Sequence, residues 1–353
     1  MRILMLGEAI SPHLQRWADE LEKLGWDVAV ASADFRDDFK GHKLEARSER
    51  GPLRYIQLVD QIKRLADEFQ PQAINAHFLP TYGLAAAMAN LHPLILTLWG
   101  SDILVSGQRG FLRRRRTRFV LERSDLVVGD AEHLLREAEK LGRVKRRLMV
   151  PFGVKQVWVE SGEARTIAET DRVKILSCRQ LEPLYDVATL VKAAAILKQR
   201  DAGFHVTIVG EGSQANDLAA LSQKLDVTDK ITFTGRLSQE KLFSAYRNSD
   251  VYVSTAHSDS TSVSLLEAMS QKLYPVVTDI PGNREWLENE RHFFESGNHE
   301  QLGERLQEAL SIEARQQAWR EYWTVLKQKG IREQQMKIAD LTFRKLIDEF
   351  AHR

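Results

Sequence analysis

Cysteine is almost missing from this chain: Cys178 is the single one in 353 residues. It cannot close an internal disulfide, which fits a reducing compartment. Its place in the run Val173-Lys174-Ile175-Leu176-Ser177-Cys178 reads as a small buried core side chain. No apolar stretch approaches the ~20 residues of a membrane-spanning helix, and Met1 to Gly7 offer no apolar segment long enough for a secretory leader. The formal net charge is only +1, so no overall field draws the chain to nucleic acid. No His, Cys, Asp and Glu set has the spacing of metal ligands. These absences predict a cytoplasmic protein, or one resting on the inner face of a membrane, with no metal and no nucleic-acid partner.

What is present is alternation. Apolar β-rich runs at residues 2–6, 27–31, 73–76, 94–98 and 125–128 are separated by segments with helical periodicity, such as Leu14, Trp17, Leu21 and Leu24. After Pro151-Phe152-Gly153 the periodicity pauses, and 154–171 reads as a linker. A second block follows, with strands expected at 173–177, 206–209, 231–233, 251–253 and 275–278. Met336, Ala339, Phe343, Leu346 and Phe350, spaced three and four apart, predict a closing amphipathic helix. The expectation is an α/β protein of two Rossmann-like doubly wound domains facing across a cleft. Their expected bounds are 1–153 and 172–330, with a helix over 331–353 that crosses back to the first domain.

The organising stretch is Ser258-Asp259-Ser260-Thr261-Ser262-Val263-Ser264-Leu265-Leu266-Glu267. It leads from a buried strand into a helix whose first amides lack intrahelical acceptors and carry the positive end of the dipole. Such a start suits a phosphate; flanking carboxylates suit hydroxyls, so the pattern points to a nucleotide sugar. Arg179, just past a strand's carboxyl end, has the fork geometry for a diphosphate. The rival is a dinucleotide-dependent dehydrogenase, since Gly210-Glu211-Gly212-Ser213-Gln214-Ala215 matches the glycine fingerprint. That fingerprint needs an acidic residue at the end of the next strand, and Asp229 precedes that strand. A tight turn with close helix packing accounts for the glycines equally well.

Taken together, Ser177-Cys178-Arg179, Val209-Gly210-Glu211-Gly212, Phe233-Thr234-Gly235-Arg236-Leu237, the Asp259-to-Glu267 signature and Pro275-Val276-Val277-Thr278 resemble the donor-binding half of glycosyltransferase family 4, retaining enzymes of the GT-B fold. Ser11-Pro12-His13-Leu14-Gln15-Arg16-Trp17, His77, Tyr82-Gly83 and Trp99-Gly100-Ser101-Asp102 are similar to the acceptor half of one branch. The resemblance implies that Glu267 holds the donor ribose, that Asp259 meets sugar hydroxyls where glutamate is commoner, and that Arg179 neutralises the leaving phosphate. It implies further that the backbone of Thr261, Ser262, Val263 and Ser264 cradles the diphosphate, with Gly210, Gly212, Gly235 and Arg236 around the nucleotide.

Two departures stand out. Leu184-Tyr185 occupies the region of the family's lysine, and Trp99 that of its acceptor-side histidine, leaving His13, His77 and Asp102 as substitutes. The expected reaction moves a sugar from a nucleotide-diphosphate sugar to an acceptor hydroxyl with retention, without cofactor or metal, in making cell-surface polysaccharide or glycoconjugate. The acceptor stays open among saccharide, lipid-linked and small-molecule classes. A non-catalytic sugar-nucleotide binder and an epimerase of the same fold are the alternatives. Lastly, Arg109 and the run Arg113-Arg114-Arg115-Arg116, beside Phe111, Leu112 and Phe119, predict either a solvated helix face or contact with an anionic membrane surface.

Overall fold

The computed structural model describes residues 1–46, 52–105 and 110–352; Arg109 lies outside them. The chain divides into two compact units, Met1–Pro151 with Glu333–Arg353, and Phe152–Arg332. In the first unit the strands are β1 (Arg2–Leu6), β2 (Asp27–Ser32), β3 (His42–Lys43), β4 (Ala73–His77), β5 (Leu94–Thr97), β6 (Leu126–Gly129) and β7 (Arg147–Met149), in the order β3-β2-β1-β4-β5-β6-β7. In the second they are β8 (Val173–Cys178), β9 (Phe204–Val209), β10 (Ile231–Gly235), β11 (Val251–Ser254), β12 (Tyr274–Thr278) and β13 (Phe293–Phe294), in the order β10-β9-β8-β11-β12-β13. All pairs are parallel. Two parallel-sheet, Rossmann-like units are therefore present, as the alternation predicts. The short edge strands β3, β7 and β13 carry too few residues to show periodicity.

Strand order reverses between β1 and β4 and again between β8 and β11. At such a switch point the loops leaving adjacent strands diverge to opposite faces and open a crevice. In the second unit those are the loops that carry Arg179 and Asp259. Ile175, Val206 and Phe204 pack one face of that sheet against helix Val187–Gln199. Leu176, Val209 and Tyr252 pack the other against Leu265, Leu266 and Met269 of helix Val263–Ser270.

The stretch read as a linker, 154–171, contains helix Gln156–Glu163. Trp158 is buried there against Phe243 and Tyr246, at ring distances of 4.7 and 5.8 Å. At Gly162 an added Cβ would fall 1.7 Å from the carbonyl oxygen of Ser270, so this helix lies directly on helix Val263–Ser270. Eight residues with two buried apolar side chains give no recognisable period; only the partner surface explains them. The closing helix Arg332–Ala351 buries Met336, Ala339, Phe343 and Leu346. Phe343 stacks on Trp17 at 6.3 Å, and the indole N–H of Trp26 donates to Asp340 Oδ1 at 2.6 Å, so these residues belong to the first unit's core.

Candidate functional site

The second unit's switch point brings Arg179, Asp259, Ser262 and Ser264 into one cluster. Ser262 caps helix Val263–Ser270, its hydroxyl accepting from the Leu265 amide at 3.3 Å. Capping by Ser262 leaves the amides of Val263 and Ser264 among those that no helix carbonyl reaches. Arg179 donates to Ser262 Oγ at 2.8 Å and to Ser264 Oγ at 3.1 Å, and pairs with Asp259 Oδ2 at 2.5 Å. Its guanidinium stacks over Tyr185 at 4.4 Å, and Tyr252 Oη lies 2.6 Å from Ser264 Oγ. Burial opposes the Arg179 charge, but Asp259 together with Tyr252 and Tyr185 outweighs it and raises the pKa, so the guanidinium stays charged.

Arg179 and Asp259, expected from the sequence at phosphate and at sugar respectively, face each other here. In this state the two neutralise each other, and the Arg179 side chain is only 9% exposed. Tyr185, in the region of the family's lysine, supplies a ring face instead of a second cation. Sequence reasoning placed Tyr185 in the lysine's region without a role and missed Tyr252 as part of the site. For Tyr185 the signal was an aromatic six residues after an arginine at a strand end; for Tyr252 nothing marks it apart from other buried strand tyrosines.

The glycines have a packing role. Gly210 has φ 149°, and a Cβ there would lie 2.0 Å from the Arg179 carbonyl oxygen; at Gly212 it would lie 2.3 Å from that of Leu181. The Leu181 amide donates to the Glu211 carbonyl at 2.9 Å. Both glycines thus let the loop after β9 lie against the loop that carries Arg179, the close packing that the tight-turn reading requires. Gly235, at φ 66°, and exposed Arg236 turn at the end of β10, where the Arg236 amide donates to Glu211 Oε1 at 3.4 Å. Thr261 is 5% exposed, and Glu267 is half-buried on the capped helix. Burial first, and the Glu267 charge with it, push the Cys178 thiol up to about 12. Asp229 sits on a turn ahead of β10, paired with Lys198 at 2.8 Å, so no carboxylate completes a dinucleotide fingerprint.

In the first unit, His77 ends β4 and packs against Trp17 at 5.8 Å and Trp99 at 5.6 Å; His13 lies 4.8 Å from Trp99. The His77 ring is 2% exposed, and neither nitrogen has a partner among the described residues. Burial, with His13 adding to it, lowers its pKa to about 3. It is therefore a neutral, enclosed imidazole rather than a presented acid. Asp102, expected on the acceptor side, is enclosed by backbone. It is fully buried and accepts from the amides of Leu79 and Trp99, each at 3.2 Å, which ties the loop after β4 to the loop after β5. Burial raises its pKa to about 6 against those hydrogen bonds. Sequence reading also passed over Asp34, which joins Arg54 at 2.9 Å and Tyr82 Oη at 2.8 Å beside β2.

Arg113, Arg114 and Arg115 are exposed on helix Phe111–Arg123, with Phe111 and Leu112 76% and 79% exposed. Arg116 is half-buried, and burial followed by Arg113 lowers its pKa. No helix among the described residues is long and apolar enough to cross a membrane. Among the same residues no group of three or more His, Cys, Asp or Glu is placed to hold a metal ion.

Two families match, one over each unit. The family described as "Glycosyl transferases group 1" matches residues 162–324, and "Glycosyl transferase 4-like" matches residues 2–130. An alpha-monoglucosyldiacylglycerol synthase of Streptococcus pneumoniae is 29% identical over 83 residues, which is 24% of this chain and 19% of that protein. The match therefore spans about a fifth of that relative's length. Sucrose-phosphate synthase of Thermosynechococcus elongatus superposes with a TM-score of 0.81 at 15% identity, covering 100% of both chains. HepE of Anabaena, solved with UDP and glucose, gives 0.77 at 16% identity over 98% of this chain and 100% of that one. With both units matched and the fold shared throughout, the chain belongs to the family 4-like glycosyltransferases of the GT-B fold.

Proposed function

We propose that the protein is a retaining, metal-independent hexosyltransferase that uses a nucleotide-diphosphate sugar. The observation that carries this reading is the convergence of Arg179 and the capped start of helix Val263–Ser270 at the switch point. A diphosphate there meets a cation and fixed amide dipoles that need no reorganisation as the leaving group gains charge. The bond from the anomeric carbon to the diphosphate breaks while the acceptor oxygen bonds that carbon on the same face. The acceptor proton passes to an oxygen of the departing diphosphate. Glu267 binds the donor ribose, and Asp259, once released by Arg179, reaches the sugar hydroxyls. The Anabaena HepE structure, solved with UDP and glucose, supports a uridine donor.

The acceptor is a lipid or lipid-linked saccharide at the cytoplasmic face of a membrane, in glycoconjugate or polysaccharide synthesis. Phe111 and Leu112 ahead of exposed Arg113, Arg114 and Arg115 support this, because apolar insertion and anionic attraction add. The pneumococcal relative's name supports it too. A second reading, a binder without turnover, is favoured by the internally neutralised Arg179 and the missing lysine.

A thermal-shift panel of UDP-, GDP- and ADP-sugars comes first, followed by NMR of the product's anomeric proton with lipid and soluble acceptors. Stabilisation with a retained configuration supports the enzyme; stabilisation without turnover supports the binder. No stabilisation by any nucleotide refutes both. Co-sedimentation with phosphatidylglycerol and with neutral vesicles tests the membrane contact. Equal partitioning, or no loss in Arg113/Arg114/Arg115/Arg116→Ser, would refute it.

A further inference from the structure

Strand β9 has two unlike faces. Phe204, Val206 and Ile208 are buried in the core, while His205 and Thr207 alternate with them and stay half-exposed on the other side. Doubly wound sheets usually have helices over both faces, so an uncovered polar row calls for an explanation. Lys174 on β8 and Thr234 on β10 continue that row, and helix Gln239–Arg247 walls it to form a cavity of about 510 Å³.

Arg172, Lys174 and Lys241 line this cavity and no carboxylate does. None of the three has an ion pair among the described residues. His205 Nε2 lies 2.9 Å from Thr232 Oγ1, whereas its buried Nδ1 has no partner among the described residues. Burial, then Arg172 and Lys230, lower the His205 pKa. Asp229 alone opposes them and is itself held by Lys198 at 2.8 Å. Lys174 and His205 are the second residues of their strands, and Lys174 lies five residues, or ~16 Å, from Arg179 along β8.

We propose that this groove binds a small anion carrying two phosphate groups, at a place separate from the switch-point site. Three unpaired cations with hydroxyls between them match charge spread over two phosphates better than a single phosphate, and the volume exceeds what one phosphate fills. A bound anion compensates Arg172, Lys174 and Lys241 at once, and its charge beside the ring favours the protonated His205.

The test is an NMR titration of histidine ring protons with inorganic pyrophosphate, the His205 signal being assigned by His205→Gln. It is run on the wild type, on Arg179→Gln and on Lys174→Gln/Lys241→Gln, with sodium chloride at matched ionic strength as control. The expected result is a saturable His205 shift in the wild type and in Arg179→Gln, and an upward move of its titration midpoint by about one pH unit. In the double lysine variant the midpoint concentration should rise at least about tenfold, with an unchanged melting temperature showing that the fold is intact. Loss of the shift in Arg179→Gln, no shift at all, an equal shift with chloride, or equal affinity in the double variant would each overturn the proposal.

Discussion

Replacing Asp259 by Asn separates two accounts of the switch-point site. The Arg179–Asp259 pair is 2.5 Å long and mostly buried. At an effective dielectric near 20, unit charges ~4 Å apart attract by ~4 kcal/mol. Removing one partner of such a pair leaves the other charge uncompensated. Ser262, Ser264 and the Tyr185 face remain to hold the guanidinium, and Asp259 is itself 19% exposed, so the net loss of stability should be about 2–3 kcal/mol. The nucleotide effect has the opposite sign. On the proposed function a diphosphate competes with Asp259 for Arg179 in the wild type and does not in Asp259→Asn. UDP, or whichever nucleoside diphosphate binds, should therefore bind the variant about tenfold more tightly, a gain of ~1.4 kcal/mol, while sugar transfer falls. Urea denaturation gives the first quantity and calorimetric titration the second. Weaker or unchanged nucleotide binding in Asp259→Asn would refute the idea that the carboxylate competes with the ligand.

Three further outcomes follow from the geometry. Gly210→Ala should destabilise the second unit by about 2–4 kcal/mol, because its Cβ would sit 2.0 Å from the Arg179 carbonyl oxygen; urea denaturation measures it, and a loss below 1 kcal/mol would be inconsistent with that contact. Trp158→Ala should cost about 3–5 kcal/mol by the same measurement, whereas a true linker residue would cost almost nothing. His77 has its folded pKa lowered to about 3, so the unfolded chain takes up the proton first as pH falls below about 6.5. Its contribution is intact above that value and is lost on acidification, so between pH 7 and pH 5 His77→Phe should lose about 2 kcal/mol less stability than the wild type, at ~1.4 kcal/mol per pH unit.

The parallel α/β architecture was legible in the sequence because strand and helix periods are local: the run Val251–Ser254 and the spacing of Met336, Ala339 and Phe343 each reveal an element without its partners. The Asp259-to-Glu267 signature was legible for the same reason, since its hydroxyls and the helix start are consecutive. Pairing was not. Arg179 and Asp259 are 80 positions apart, and only the strand order β8-β11 brings their loops together and lets one charge cancel the other. Asp102 looks like an exposed acid after Trp99-Gly100-Ser101, yet the fold closes over it and turns its oxygens onto backbone amides. Trp158 read as a linker residue until helix Val263–Ser270 supplied its surface. Local propensity therefore determined which elements form and in what order, while burial and charge compensation, which depend on distant neighbours, were decided only when those elements packed.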